Sequence, residues 1–258
     1  AVGCGAAVVV SGTGHITVLA ANAVIFTGTA DIRTSGAGTL DIEAGTGSIT
    51  QSTTGVFEAA SDIRLLAATD ITLGLVSSAA SVSITATSGS ILDADALVNG
   101  ANDGNADIIA AGLRMQAGLG IGGAINHLDT TVGTLTARAT GFANTGGIYV
   151  KESDGLIIGD VSATVQRVGS NAGVTATTDA TQSDVITTAG NGNIVLVTAA
   201  GNVVLNDGTA AADDVSVSAN GSGNVLILAL GAGTSVTANA GIVSVMAEPV
   251  PAVPPAPK

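Results

Sequence analysis

The sequence predicts an all-β chain, a parallel β-helix (β-solenoid) of about a dozen coils with a Pro-rich extended C-terminal tail. A short phrase of alternating apolar and small polar residues recurs along the chain, as in TLDIEA at 39–44 and SVSITA at 81–86. Aromatic residues are only 2% of a chain that is 46% apolar, so the core is filled by Val, Ile, Leu and Ala and must be narrow. All five prolines fall within 249–257, leaving the first 248 residues free of the one residue that cannot donate to a ladder.

Each predicted strand follows from its local pattern. HITV at 15–18, TLDIEA at 39–44, DIRL at 62–65, SVSITA at 81–86, DVSVSA at 214–219 and SV at 244–245 alternate with period two, the mark of a strand with one buried face. Gly, Asn and Asp punctuate them. In the last third, pattern starts fall at Ile194, Val203, Val215, Val225 and Val236, and skipping one each time gives steps of 21, 22 and 21 residues. The reading is a two-strand unit of about 21 residues per coil and a rod about 55–60 Å long at ~4.8 Å per layer. Residues 93–107 and 177–193 break the rhythm and read as loops thrown out from the coil. Residues 1–248 thus form one solenoid domain, and 249–258 an extended tail or linker in polyproline II geometry. An antiparallel β-sandwich is the rival, with Asn-Gly turns at Asn99, Asn191 and Asn220, but sandwiches normally carry aromatic core anchors.

Charge narrows the function classes. Seven Lys plus Arg stand against twenty Asp plus Glu, a net charge of −13, so nucleic acid and anionic membrane surfaces are disfavoured partners. No apolar run is long enough for a spanning helix. Cys4 is the only cysteine, so no intrachain disulfide forms; it reads as a small buried side chain rather than a lipidation site. With no charged and apolar leader ahead of it, the chain reads as a processed or excised segment.

Within 84–159, the phrases SILDAD at 90–95, DIIAAGLR at 107–114, GLGIG at 118–122, LDTTVGTL at 128–135 and GIYVKE at 147–152 stand together. This stretch resembles the β-strand repeats of large bacterial surface exoproteins, the filamentous-haemagglutinin-like adhesins. The resemblance implies a right-handed β-helix, export across the outer membrane, and a role in adhesion or surface architecture. It carries over no catalytic residue.

Candidate chemistry is sparse. Asp93 with Asp95, and Asp213 with Asp214, are the nearest approach to paired carboxylates, yet no cation lies beside either pair in sequence. They read as solvated turn residues. GLGIGG at 118–123 matches a dinucleotide-binding pattern by chance, without a βαβ frame. The loops NDGNAD at 102–107 and NDG at 206–208 offer hard oxygen ligands, which makes Asp103, Asp107 and Asp207 calcium candidates. His15 and His127 read as strand-face residues, and NGS at 220–222 as a turn.

These observations predict a non-enzymatic, extracellular, structural or adhesive solenoid of a bacterial cell surface. The alternative is a filament subunit that stacks end to end through open solenoid edges; a polysaccharide-active enzyme is the third reading. Expected partners are other copies or neighbouring segments of a larger surface protein, with a glycan or host-surface ligand unidentified.

Overall fold

The computed structural model describes residues 1–95, 97, 102–141, 146–210, 212–239 and 242–246. The prolines, the boundary at 248/249 and Asn99 lie outside the described residues.

Among the described residues every regular element is a strand. The chain winds through three strand positions per turn. The first coil is β1 (Val2–Cys4), β2 (Val8–Val10) and β3 (Ile16–Ala20); the second is β4 (Val24–Phe26), β5 (Ile32–Thr34) and β6 (Leu40–Ala44). The third coil is β7 (Ile49–Thr50), β8 (Val56–Ala59) and β9 (Ile63–Ala67); the fourth is β10 (Ile71–Leu73), β11 (Leu75–Ser78) and β12 (Ser81–Ala86). In the fifth, β13 (Ile91–Asp93) is followed by β14 (Ile108–Ala117), one strand serving two ladders. In the sixth, an isolated bridge at Ile121 leads to β15 (Leu128–Ala139). The seventh coil is β16 (Ile148–Glu152), β17 (Leu156–Ile158) and, after an excursion through β18 (Val161–Val168) and β19 (Val174–Gln182), β20 (Val185–Thr187). The eighth is β21 (Ile194–Thr198), β22 (Val203–Leu205) and β23 (Val215–Asn220); the ninth is β24 (Val225–Ala229), β25 (Val236–Ala238) and β26 (Ile242–Met246).

Pairing between coils is parallel, and in register except for an irregularity between Val215 and Val217 where β23 meets β26. One row of facing residues runs Val2, Val24, Ile49, Ile71, Ile91, Ile121, Ile148, Ile194, Val225. A second runs Val18, Ile42, Leu65, Ile84, Met115, Ala137, Val185, Val217, Val243. In both rows the side chains of coils three to eight are fully buried, each aliphatic one worth about 1.5–3 kcal/mol. Beside them runs a column of small residues, Ala20, Ala44, Ala67, Ala86, Ala117, Ala139, Thr187 and Ala219. A corner that must stay narrow explains the alanine content. Phe26 and Phe57, both buried, meet edge to face at 4.8 Å.

This β-helix-like stack corrects the predicted period. The strand starts at Ile194, Val203, Val215, Val225 and Val236 are each real, but a turn takes three strands: Ile194 pairs with Val225 and Val203 with Val236, so the coil there spans 31 and 33 residues. Among the described residues nine coils replace the predicted dozen. At ~4.8 Å per layer they give a stack of about 43 Å rather than 55–60 Å. The repeated phrases legible in the sequence all fall on the third strand of their coils.

Glycine lets the backbones close at the corner before the first strand. A Cβ on Gly192 would lie 2.0 Å from the Gly146 carbonyl oxygen, and one on Gly223 would lie 2.3 Å from that of Gly192. A side chain at Gly192 or Gly223 would force the neighbouring carbonyl aside.

The predicted loop at 177–193 is largely strand. β18 and β19 form an antiparallel hairpin, the one departure from parallel pairing among the described strands. The hairpin leaves the seventh coil and runs back along the outside of the stack. Its amides at Thr164, Gln166 and Val168 donate to Asp62 Oδ2 (2.6 Å), Thr39 Oγ1 (2.9 Å) and Thr17 Oγ1 (2.9 Å), so every second residue meets the next coil. Between β13 and β14 the described residues form no strand, as the sequence predicts for 93–107.

Candidate functional site

The outward-facing residues of the third strands form a polar row: Thr17, Asp41, Arg64, Ser83, Arg114, Thr136. Alternation places them on what the sequence presents as a solvent face, but the hairpin covers it. Val161, Ala163 and Val165 of β18 are buried against this face, and Asp41, Ser83 and Thr136 are fully buried. Their polarity is met by charge pairing. Asp41 accepts from Arg64 Nη1 (3.0 Å) and Arg167 Nε (2.7 Å); Arg64 Nε reaches Asp179 (3.0 Å), which also accepts from Ser83 (2.6 Å). Glu43 completes the group with both arginines. The Glu43 carboxyl is held below its ordinary value, burial being outweighed by Arg167 and Arg64. Arg167 is raised above its own, chiefly by its bond to Asp41. Nothing in the local sequence announces this clamp, because its partners are separated by 126 and 115 residues.

A second polar group gathers where the 102–107 loop meets coils five to seven. Asp107 is buried; its Oδ2 accepts from the Asp129 amide (2.8 Å), and its own amide donates to the Asp129 carbonyl (2.8 Å). Burial, aided by the neighbouring Asp93 charge, pushes the Asp107 carboxyl up to about 10, so it holds its proton at neutral pH. Asp93 takes the Asp95 amide (2.6 Å) and Asn126 Nδ2 (2.9 Å), while Asp129 pairs with Lys151 (3.0 Å) and accepts from Asn102. Asp103 is bonded by Asn105, whose Nδ2 lies 2.6 Å away. Of the three calcium candidates, Asp103 and Asp107 are thus brought into one neighbourhood. Asp207 is not: it lies near Asp184, on which its charge acts, and its buried Oδ1 has no partner among the described residues. Among the described residues no three His, Cys, Asp or Glu side chains are arranged to hold a metal ion. Asn and backbone donors and a retained proton already account for the carboxylates around Asp107.

Glu152 was not singled out by the sequence reading. It ends β16 between Thr130 of β15 and Thr198 of β21, fully buried. It accepts from Thr130 Oγ1 (2.7 Å), the Val132 amide (3.0 Å) and the Ser153 amide (2.9 Å). Burial still raises its carboxyl to about 7. Its only legible signal is a Glu at an inward position of GIYVKE.

The remaining candidates fall as follows. Asp213 and Asp214 are exposed turn residues, Asp213 capping the Val215 amide at 3.0 Å and Asp214 at φ 63°. The 118–123 glycines sit between coils, where a Cβ on Gly122 would lie 2.4 Å from the Tyr149 carbonyl oxygen. His15 Nδ1 accepts from the Thr39 amide (3.2 Å), and His127 stacks on Tyr149 at 5.9 Å. Asn220 opens a turn closed by the Gly223 amide (2.9 Å). Cys4, expected to be buried, is half-buried against the core edge, its thiol donating to the Ala6 carbonyl (2.8 Å).

Among the described residues no helix is long and apolar enough to cross a membrane. Comparison with models of protein families, with curated proteins and with solved structures gave no match.

Proposed function

We propose that the chain is a parallel β-solenoid acting as a non-enzymatic structural rod of an extracellular bacterial surface, in the manner of the filamentous-haemagglutinin-like adhesins that its 84–159 stretch resembles. The observation that carries this reading is the continuity of the parallel rows through nine coils, with the same aliphatic positions facing one another throughout. Stacked backbone pairing and a thin aliphatic core make a stiff element whose length scales with coil number. The buried acidic groups act as structural bonds: Asp41 and Glu43 anchor the hairpin, and Asp107 and Asp129 tie one coil to the next. The acidic exterior keeps the rod soluble. Small-angle scattering tests this reading. A rod cross-section with a stack height of about 43 Å is expected; a spherical profile would sink it.

A second reading, end-to-end assembly, has its own observation. The outermost described layers expose Val2, Val8, Val9 and Leu19 at one end and Leu226, Leu228, Val236 and Val243 at the other. Both layers also present unpaired strand edges, a template for a further layer. Electron microscopy at rising protein concentration decides between copies stacking into fibres of constant width and single rods whose ends are met by other segments.

A further inference from the structure

The seven cations of this acidic chain are few enough to be accounted for one by one. Lys258 lies outside the described residues. Arg33 pairs with Asp31 and Glu58, Arg64 with Asp41, Glu43 and Asp179, Arg167 with Asp41 and Glu43, and Lys151 with Asp129. Only Arg114 and Arg138 have no carboxylate within salt-bridge distance among the described residues, and both line the same cavity of about 230 Å³. Arg138 is exposed. Its register partner Gln116 lies two residues beyond Arg114 on the neighbouring coil, so the two guanidinium groups stand diagonally across adjacent layers.

The cavity is built by the hairpin. The foot of β19 passes over the fifth and sixth coils, where Arg114 Nε donates to the Ala180 carbonyl (3.0 Å) and Gln182 Nε2 to the Met115 carbonyl (3.0 Å) and Thr136 Oγ1 (3.1 Å). The rest of the Arg114 guanidinium makes only long contacts, to Ser83 Oγ (3.3 Å), Thr85 Oγ1 (3.4 Å) and Gln116 Oε1 (3.5 Å). Asp179, the nearest acidic influence, is engaged by Arg64 and Ser83. Burial pushes the Arg114 guanidinium below its ordinary value; Asp179 opposes this, while Arg64 and Arg138 add to it. No carboxylate is among the residues that line the cavity; they are arginine, amide, hydroxyl and alanine side chains. In a chain with twenty acidic residues, two arginines facing a polar cleft without an acid are positioned for an acid from outside.

We propose that this cleft binds a sugar acid, the two guanidinium groups of Arg114 and Arg138 holding its carboxylate or sulfate and the amide and hydroxyl side chains meeting its ring hydroxyls. Planar guanidinium groups match a two-oxygen acid through paired, charge-assisted hydrogen bonds. The cavity leaves room for more than the acid group alone. The site is independent of how rods assemble.

The experiment is calorimetric titration of the full chain at low ionic strength with sodium glucuronate, with glucose as the neutral control and inorganic sulfate as competitor. Glucuronate is expected to bind, glucose not to, and sulfate to compete. Arg138→Gln, at an exposed position, is expected to weaken binding about tenfold. Arg138→Lys keeps the charge but loses the fork, and is expected to fall between the two. Circular dichroism of both variants should overlay on the parent. Absence of glucuronate binding, equal binding of glucose, failure of sulfate to compete, or an Arg138→Gln variant that binds as the parent does would each overturn the proposal. A null result here would leave the scattering profile of the rod unchanged, so the two readings fail separately.

Discussion

Asp107 and Glu152 show how a single buried acid in this stack sets a pH dependence. Free in an unfolded chain, both ionise near pH 4. Folded, they hold their protons to about 10 and about 7, burial being the main cause in each. A raised folded value means that the stability each contributes is fully present below the unfolded value and is lost as pH rises through the folded one. The native state therefore weakens from about pH 4 upwards, with Glu152 acting up to about 7 and Asp107 continuing beyond. Urea unfolding at pH 5, 7 and 9 should show falling stability at each step. Glu152→Gln is expected to reduce the 5-to-7 step by about half, and Asp107→Asn, which keeps an acceptor for the Asp129 amide, to reduce that step likewise and to flatten the 7-to-9 step. Parent stability that holds level from pH 5 to 9 would show that these carboxyls are not held protonated.

The hairpin of β18 and β19 is fastened by a charge cluster, and its fasteners are unequal. Asp41 is fully buried between Arg64 and Arg167, so Asp41→Ala leaves two guanidinium groups facing an empty position. Removing one partner of a buried pair costs about 3–5 kcal/mol. Arg167 is partly exposed, and its removal should cost about 1 kcal/mol, since Asp41 keeps Arg64. Chemical denaturation of the two variants measures the ratio, and equal losses would mean the hairpin is held by its buried Val161 and Val165 instead. At the corners, Gly192→Ala drives a methyl into the Gly146 carbonyl and should cost about 1–3 kcal/mol. The same denaturation curves report it, and an unchanged midpoint would mean the glycine column can spread. The strands themselves were legible because period-two alternation is local: SVSITA announces β12 without any partner in view. The clamp was not, since Asp41, Arg64, Arg167 and Asp179 meet only after the chain has made several turns and doubled back. Arg114 and Arg138 were likewise invisible as a pair, separated by a coil of sequence and joined by register.

At the scale of the whole molecule, the number of strands per turn was the quantity that sequence spacing misjudged. Val203 and Val236 begin alike but stand on a different ladder from Ile194 and Val225, and only pairing tells them apart. A stack of coils is quasi-one-dimensional: each layer is stabilised by its neighbours, and opening starts where neighbours are missing. The hairpin changes that rule on one side. It bonds to Thr17 of the first coil, Thr39 of the second and Asp62 of the third, and returns past Met115 and Thr136 of the fifth and sixth. The eighth and ninth coils lie beyond its seventh-coil origin, and the side chains of β24 and β25 are only partly buried or exposed. The two ends of the stack should therefore open unequally. Native-state hydrogen exchange is expected to show the β24 and β25 amides exchanging well before those of β3, although all three strands lie in end layers. Asp41→Ala, by loosening the strap, should raise the β3 exchange rate toward theirs while leaving β24 unchanged. Equal exchange at both ends in the parent would mean that the hairpin rides on the stack without holding it.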